Sequence, residues 1–301
     1  LIKDNKEEIE DRFYKDLEFG TAGLRGIIGA GTNRMNKYVV RKVSQGLSDY
    51  INKKGKTFAK RGIVIAYDSR HKSSEFALEA SLVFAANGIT TWLFDELRPV
   101  PVLSFAIRHL NAAAGVAITA SHNPKEYNGY KVYGGDGAQL LPDQSDILLK
   151  EVENIKDFFQ VKIISKEEAI KAGLLNIIDK DVDDKYMETI KKYSLNLDII
   201  KKQNNNFTVV YTPLNGAGNK PVRRILKEVG FDNVHVVKEQ EKPDPNFSNL
   251  KMPNPEDVKV YTLALELAKI QDADLIIGTD PDSDRMGIMV KDRDGSYKSF
   301  T

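Results

Sequence analysis

Three carboxylates stand at alternate positions in Asp280-Pro281-Asp282-Ser283-Asp284, directly after the apolar run Ala273-Asp274-Leu275-Ile276-Ile277-Gly278. Like charges this close raise one another's pKa, and a divalent cation removes that penalty. Hard cations such as Mg2+ prefer oxygen ligands. A loop at the carboxyl end of a strand is also where open α/β sheets bind their ligands. The pattern predicts a metal site made by Asp280, Asp282 and Asp284. An acidic turn capping a helix or hairpin is the plainer alternative.

The flanks narrow the choice. An EF-hand loop counted from Asp280 needs Gly at its sixth position and Glu at its twelfth. Those positions hold Arg285 and Lys291, which excludes it. A haloacid-dehalogenase-type phosphatase would use Asp280 as its nucleophile. Such loops usually carry Thr or Val where this chain has Asp284, so that reading is weakened but stays open.

A second loop, Thr119-Ala120-Ser121-His122-Asn123-Pro124-Lys125, follows the apolar strand Gly115-Val116-Ala117-Ile118. A serine hydroxyl is a weak nucleophile until a base or metal activates it. His122 is the nearest base, but neighbours on an extended strand face opposite sides, which argues against direct Ser121–His122 pairing. A plain Asn-Pro turn is the alternative. The glycine-punctuated stretch Gly20–Gly26 is neither a dinucleotide fingerprint nor a Walker sequence. With Arg25 its amides would cradle a phosphate; otherwise it is a connector. Tyr133–Gly137 and Asp294-Gly295 read as hairpin turns, and the proline-rich stretch Lys242–Glu256 reads as structural. His71, His109 and His235 have no companion pattern and are expected at the surface or in the core.

At 301 residues the chain is long enough for two domains with substantial cores. A net charge of +1 gives no support for nucleic acid as a partner. With no cysteine, disulfides, thiol catalysis and zinc–thiolate sites are excluded, and a cytoplasmic setting is expected. No apolar stretch reaches the roughly 20 residues that span a bilayer, so no membrane association is expected.

Periodicity predicts a helix over residues 4–17, with Ile9, Phe13 and Leu17 on one face. Helices follow near 39–51, 73–87 and 102–110, alternating with strands at 62–67, 90–94 and 114–120. The second half repeats this grammar: strand 207–211, helix 220–229, strand 234–237, helix 258–270, then the strand that ends at Asp280. Such alternation implies βαβ units. The expectation is two similar three-layer α/β/α domains with mixed, largely parallel sheets, and duplication of one module would explain the rhythm. The boundary is placed at the charged stretch 179–184, giving domains of 1–178 and 179–301.

Taken together, Phe19-Gly20-Thr21-Ala22-Gly23-Leu24-Arg25-Gly26, Thr119–Pro124 with Tyr127-Asn128-Gly129-Tyr130-Lys131, and Asp280–Arg285 occur in a distinctive order. The chain resembles the phosphoglucomutase/phosphomannomutase family of α-D-phosphohexomutases, closest to the phosphoglucomutase and phosphopentomutase branch. The resemblance implies that Ser121 carries a phosphoryl group. It implies that Asp280, Asp282 and Asp284 hold Mg2+, with a phosphoserine oxygen on Ser121 completing the shell. Thr21, Arg25, His122, Lys131 and Arg285 would surround the transferring phosphoryl. The substrates would be sugar phosphates, with glucose 1,6-bisphosphate as activator or intermediate. Family members have four domains, so the chain reads as the first two, lacking domains III and IV and inactive alone. A non-catalytic sugar-phosphate-binding module is a further alternative.

Overall fold

In Ile63-Val64-Ile65-Ala66 every side chain is buried, because both faces of the strand are covered. Ile63 and Ile65 join one core with Val116 and Ile118, while Val64 and Ala66 join a second with Ala117. Successive side chains point to opposite faces, so a strand apolar throughout belongs inside a sheet flanked by helices on both sides.

The computed structural model describes residues 5–20, 23–203 and 206–300. Its strands are β1 (Phe19–Gly20), β2 (Gly23–Ile27), β3 (Ile63–Tyr67), β4 (Thr91–Phe94), β5 (Ala114–Ile118), β6 (Tyr127–Gly134) and β7 (Leu175–Ile178), then β8 (Val209–Thr212), β9 (Val234–Val236), β10 (Leu275–Thr279), β11 (Met286–Lys291) and β12 (Tyr297–Phe300). They form two sheets, ordered β1-β2-β6-β5-β3-β4-β7 and β12-β11-β10-β8-β9. Strands β5, β3, β4 and β7 run parallel, and β6 and β2 continue that sheet antiparallel. In the second sheet β8 pairs parallel with β9 and β10, and β11 and β12 continue antiparallel. Both sheets are mixed, with most strands pointing one way.

Helices Lys37–Lys53, Ser73–Ala86 and Pro142–Asn154 cover one face of the first sheet, through Val40, Leu47, Phe76, Phe84 and Leu148. Val100–His109 and Lys180–Lys191 cover the other. In the second sheet Val210 and Ile276 pack under Thr262–Gln271, and Val209, Tyr211 and Ile277 pack under Asn219–Val229. Two three-layer α/β/α units result. The helix Lys180–Lys191, at the expected boundary, packs Val182 into the first unit and pairs Asp184 with Arg224 of the second at 2.6 Å. No helix among the described residues is long and apolar enough to cross a membrane.

Two segments differ from the periodicity. The first helix covers only Lys6–Phe13, and Ile9 and Phe13 are exposed. The chain leaves the helix because Leu17 N donates to Thr32 O at 2.9 Å and Thr32 Oγ1 donates to Lys15 O at 2.7 Å. Residues Gly23–Ile27, read as loop, are a strand paired with β6. Its partner Gly129 is squeezed between backbones: a Cβ there would sit 2.5 Å from Thr119 O and 2.6 Å from Leu24 O. Glycines that look like loop punctuation here permit close strand approach.

Candidate functional site

The parallel register sets Ile118 beside Tyr67, so the loops after β5 and β3 emerge together at the carboxyl edge of the first sheet. Ser121 begins the turn with φ +53°, a left-handed conformation that costs a non-glycine residue on the order of 1–3 kcal/mol. Its N–H donates to Thr119 Oγ1 at 2.8 Å. This turn overturns the expectation for the neighbouring pair: Ser121 Oγ lies 3.2 Å from His122 Nδ1. Alternation of faces holds for extended backbone, and Ser121 is not extended.

The acidic loop after β10 faces this turn from the second unit. Ser121 Oγ donates to Asp280 Oδ2 at 2.9 Å, and Arg285 N donates to Asp280 Oδ1 at 3.1 Å. Thr119 Oγ1 donates to Asp282 Oδ2 at 3.1 Å. Lys131, on β6, donates from Nζ to Asp282 Oδ2 at 2.8 Å and to Asp284 Oδ2 at 3.0 Å. Backbone bonds fix the loop: Val100 N donates to Asp282 O at 2.9 Å, and Ala217 N donates to Pro281 O at 2.8 Å.

Ligand oxygens of Asp280, Asp282 and Asp284 all lie within 4.8 Å of one another. Asp282 Oδ1 is buried without a hydrogen-bond partner. Burial, followed by the charge of Asp282, pushes the Asp280 carboxyl far above the usual carboxylate range. Burial works the same way on Asp282, but the charge of Lys131 together with hydrogen bonds from Asp280, Lys131 and Thr119 holds that carboxyl below its ordinary value. Burial would lower the Lys131 ammonium, yet Asp282 and Asp284 raise it. Crowded oxygens, one of them orphaned, and a carboxyl that resists ionising are what a hard divalent cation would relieve, so the donor set fits Mg2+.

Burial lowers the His122 pKa, and Arg285 and Arg25 add to the shift, so its imidazole is neutral at neutral pH. Arg25, on β2, donates from Nη1 to Asn123 Oδ1 at 3.3 Å. The Arg285 guanidinium is part-exposed and pairs with Glu256 at 3.5 Å. The structure thus brings Ser121, His122, Lys131 and the three aspartates into direct contact, with Arg25 one residue away through Asn123. Thr21 lies outside the described residues. His71 contacts Asn246, His109 stacks on Phe105 and His235 contacts Asn233.

Sequence reasoning missed Thr119 and Arg70. The signal for Arg70 was positional: Asp68-Ser69-Arg70 follows β3 as the serine loop follows β5. Arg70 Nη2 donates to Ser121 O at 2.6 Å, placing this side chain directly beneath the turn.

The description Phosphoglucomutase/phosphomannomutase, alpha/beta/alpha domain I, matches residues 16–158, and that of domain II matches residues 184–295. A phosphoglucomutase of Staphylococcus aureus strain N315 is 42% identical over 300 residues, covering 99% of this chain and 52% of the relative. Its counterpart in strain bovine RF122 / ET3-1 is 43% identical over 294 residues, covering 97% and 51%. A solved structure named as a phosphomannomutase from Thermus thermophilus superposes with TM-score 0.76 at 25% identity, covering 94% of this chain and 58% of that one. The open form of parafusin, a phosphoglucomutase from Paramecium, shares the fold with TM-score 0.71 at 18% identity, covering 92% and 53%. The chain spans about half the length of the curated relatives it matches. These matches cover both α/β/α units and both loops that meet between them, and the chain belongs to the phosphoglucomutase/phosphomannomutase family.

Proposed function

We propose that this chain carries the phosphoryl-transfer half of a phosphoglucomutase-type isomerase, with Ser121 as the residue that carries the phosphoryl group. The observation that supports this most directly is the 2.9 Å contact of Ser121 Oγ with Asp280 Oδ2, with Lys131 bound to Asp282 and Asp284 beside it. A nucleophilic hydroxyl, a carboxylate cluster and a buried cation from two domains converge on one point. Phosphoryl transfer spreads negative charge over oxygens, so catalysis is mostly positioning and charge stabilisation.

Asp280, Asp282, Asp284 and an oxygen on Ser121 would hold Mg2+. Bound there, it would neutralise the carboxylates and withdraw charge from phosphoryl oxygens. The chain's own residues do the rest. When a bisphosphate gives a phosphoryl group to Ser121, the new P–Oγ bond forms as the sugar P–O bond breaks. The Ser121 hydroxyl proton passes to neutral His122 Nδ1 at 3.2 Å, and the imidazolium returns a proton to the departing sugar oxygen, which leaves as a hydroxyl. In the reverse transfer the sugar hydroxyl attacks phosphorus and gives its proton to the same imidazole, which passes it to Oγ as that oxygen departs. Arg25, Arg285 and Lys131 supply positive charge around the group in flight, and Thr21 would bind the same phosphoryl group.

The overall reaction in this reading interconverts hexose 1-phosphate and hexose 6-phosphate through glucose 1,6-bisphosphate. Pentose or mannose phosphates are the alternatives within the family, and a cytoplasmic setting suits such substrates. Residues 1–178 and 179–301 would be domains I and II, and sugar recognition would come from domains III and IV. An Asp280-nucleophile phosphatase is less well supported, because Ser121 and Arg285 already engage both Asp280 oxygens. Intact mass and peptide mapping after incubation with glucose 1,6-bisphosphate and Mg2+ test the reading. Phosphate on Ser121 is expected; phosphate on Asp280 alone would overturn it.

A further inference from the structure

Two segments have no task in this reading: Asp68-Ser69-Arg70-His71 after β3, and the proline-rich stretch Lys242–Glu256 of the second domain. They meet beneath the serine loop. The Arg70 side chain is fully buried, and its terminal nitrogens all serve that loop's backbone. Nη2 donates to Ser121 O at 2.6 Å and Asn123 O at 2.5 Å; Nη1 donates to Pro124 O at 2.8 Å and Tyr127 O at 3.2 Å. Nε lies 3.2 Å from Asp68 Oδ2, an ion pair outside hydrogen-bonding alignment.

Asp68 is itself fixed. Its Oδ1 accepts from Arg70 N at 2.9 Å and from Ser73 Oγ at 2.7 Å, and Asn128 Nδ2 donates to Ser73 Oγ at 3.0 Å. The second domain reaches the same place. Phe247, fully buried, lies with its ring centroid 5.1 Å from the Arg70 guanidinium carbon, and Asn246 Oδ1 lies 2.9 Å from His71 Nε2.

We propose that Arg70 is a positioning residue for Ser121, and that Phe247 of the second domain braces it. The inference rests on the reading of Ser121 as the phosphoryl carrier. Four carbonyls converging on one point need a group that only donates and whose donors lie in a plane, which is the guanidinium. A lysine in its place offers three donors from one nitrogen and cannot span the set. Ser121 sits in a conformation an L-residue does not adopt by preference, so something outside the turn must hold its carbonyl. Released from Arg70, the loop relaxes toward ordinary backbone and Oγ swings away from Asp280. Because Phe247 packs on the same guanidinium, the serine is fully set only when the second domain is seated. The proline-rich stretch acquires a purpose: its turns deliver Phe247.

The test compares the chain with its Arg70→Lys, Arg70→Met and Phe247→Leu variants. Three quantities are measured: the rate at which Ser121 gains phosphate from glucose 1,6-bisphosphate, Mg2+ affinity, and amide hydrogen exchange. Arg70→Lys is expected to slow phosphorylation about tenfold or more, with Mg2+ affinity within about twofold. Amides of residues 121–129 should exchange about tenfold faster while those of β3 and helix Ser73–Ala86 keep their protection. Phe247→Leu should shift both readouts the same way by about threefold. If Arg70→Met does not fold, the other two variants carry the test. Wild-type phosphorylation and wild-type loop exchange in Arg70→Lys would overturn the proposal, as would a uniform loss of protection across the domain. If the unaltered chain takes up no phosphate, the functional reading fails instead, and loop exchange alone decides the positioning role.

Discussion

The hydroxyl of Thr119 accepts the Ser121 N–H at 2.8 Å and donates to Asp282 Oδ2 at 3.1 Å, so one side chain ties the serine turn to the acidic loop. Both ends of that bridge are buried. Without the hydroxyl the buried Ser121 N–H loses its acceptor and Asp282 Oδ2 keeps only Lys131, a loss of about 1–3 kcal/mol. Thr119→Val should therefore lower stability by that amount in denaturant unfolding, and Thr119→Ser should recover most of it. Equal stability of the valine variant would show that the bridge carries no weight.

Asp280 is predicted to have opposite effects with and without metal. Its carboxyl is held far above its ordinary pKa by burial and by Asp282, so ionising it costs folding energy. Asp280→Asn should raise the thermal midpoint in chelator-treated protein. The parent should gain about 2.7 kcal/mol at Mg2+ a hundredfold above its Kd, and the variant should gain little. A variant that responds to Mg2+ as the parent does would exclude Asp280 as a ligand.

Ser121→Ala separates the serine and aspartate chemistries. The variant should fold and keep a weakened Mg2+ response, because the three aspartates remain when the one oxygen of Ser121 is removed. Its uptake of phosphate from glucose 1,6-bisphosphate should vanish in intact-mass spectra. Uptake at the parent's level would move the reaction to Asp280.

Acid titration should expose the contact between Lys180–Lys191 and Asn219–Val229. Asp184 pairs with Lys180 and Arg224, each at 2.6 Å, and hydrogen bonds from Lys180 and then Arg224 lower its pKa. A carboxylate with a depressed folded pKa stabilises the fold above its unfolded value and loses that effect as pH falls through the folded one. Asp184→Asn should thus lower the melting temperature near pH 6 and cease to do so near pH 2 to 3. Added salt should shrink the difference at pH 6, since the pair is at the surface. A deficit independent of pH would assign the effect to packing.

Much of this was legible in the residues. Buried strands such as Ile63–Ala66 announce themselves as unbroken apolar runs, and Gly88 and Gly230 end their helices with positive φ where a stop was expected. The spacing of Asp280, Asp282 and Asp284 places them on one loop without any knowledge of the fold. The antiparallel strand β2 was hidden because its glycines serve a close approach, which local pattern cannot tell from a flexible link. The Ser121–His122 contact was hidden because it depends on a backbone conformation at Ser121 that only surrounding bonds enforce. Arg70 and Phe247 lie 177 positions apart in the numbering, and nothing local marks either as belonging to the serine loop.

The squeeze of the Arg70 guanidinium between one domain's carbonyls and the other's phenyl ring bears on how such chains can be inherited. A crossover between β7 and β8 looks harmless by topology, since it exchanges one whole sheet for another. It would nonetheless separate the serine loop from Phe247, and Lys131 from Asp282. Recombinants should survive only where both halves bring matching faces, so the two domains are expected to be inherited together despite their separate cores.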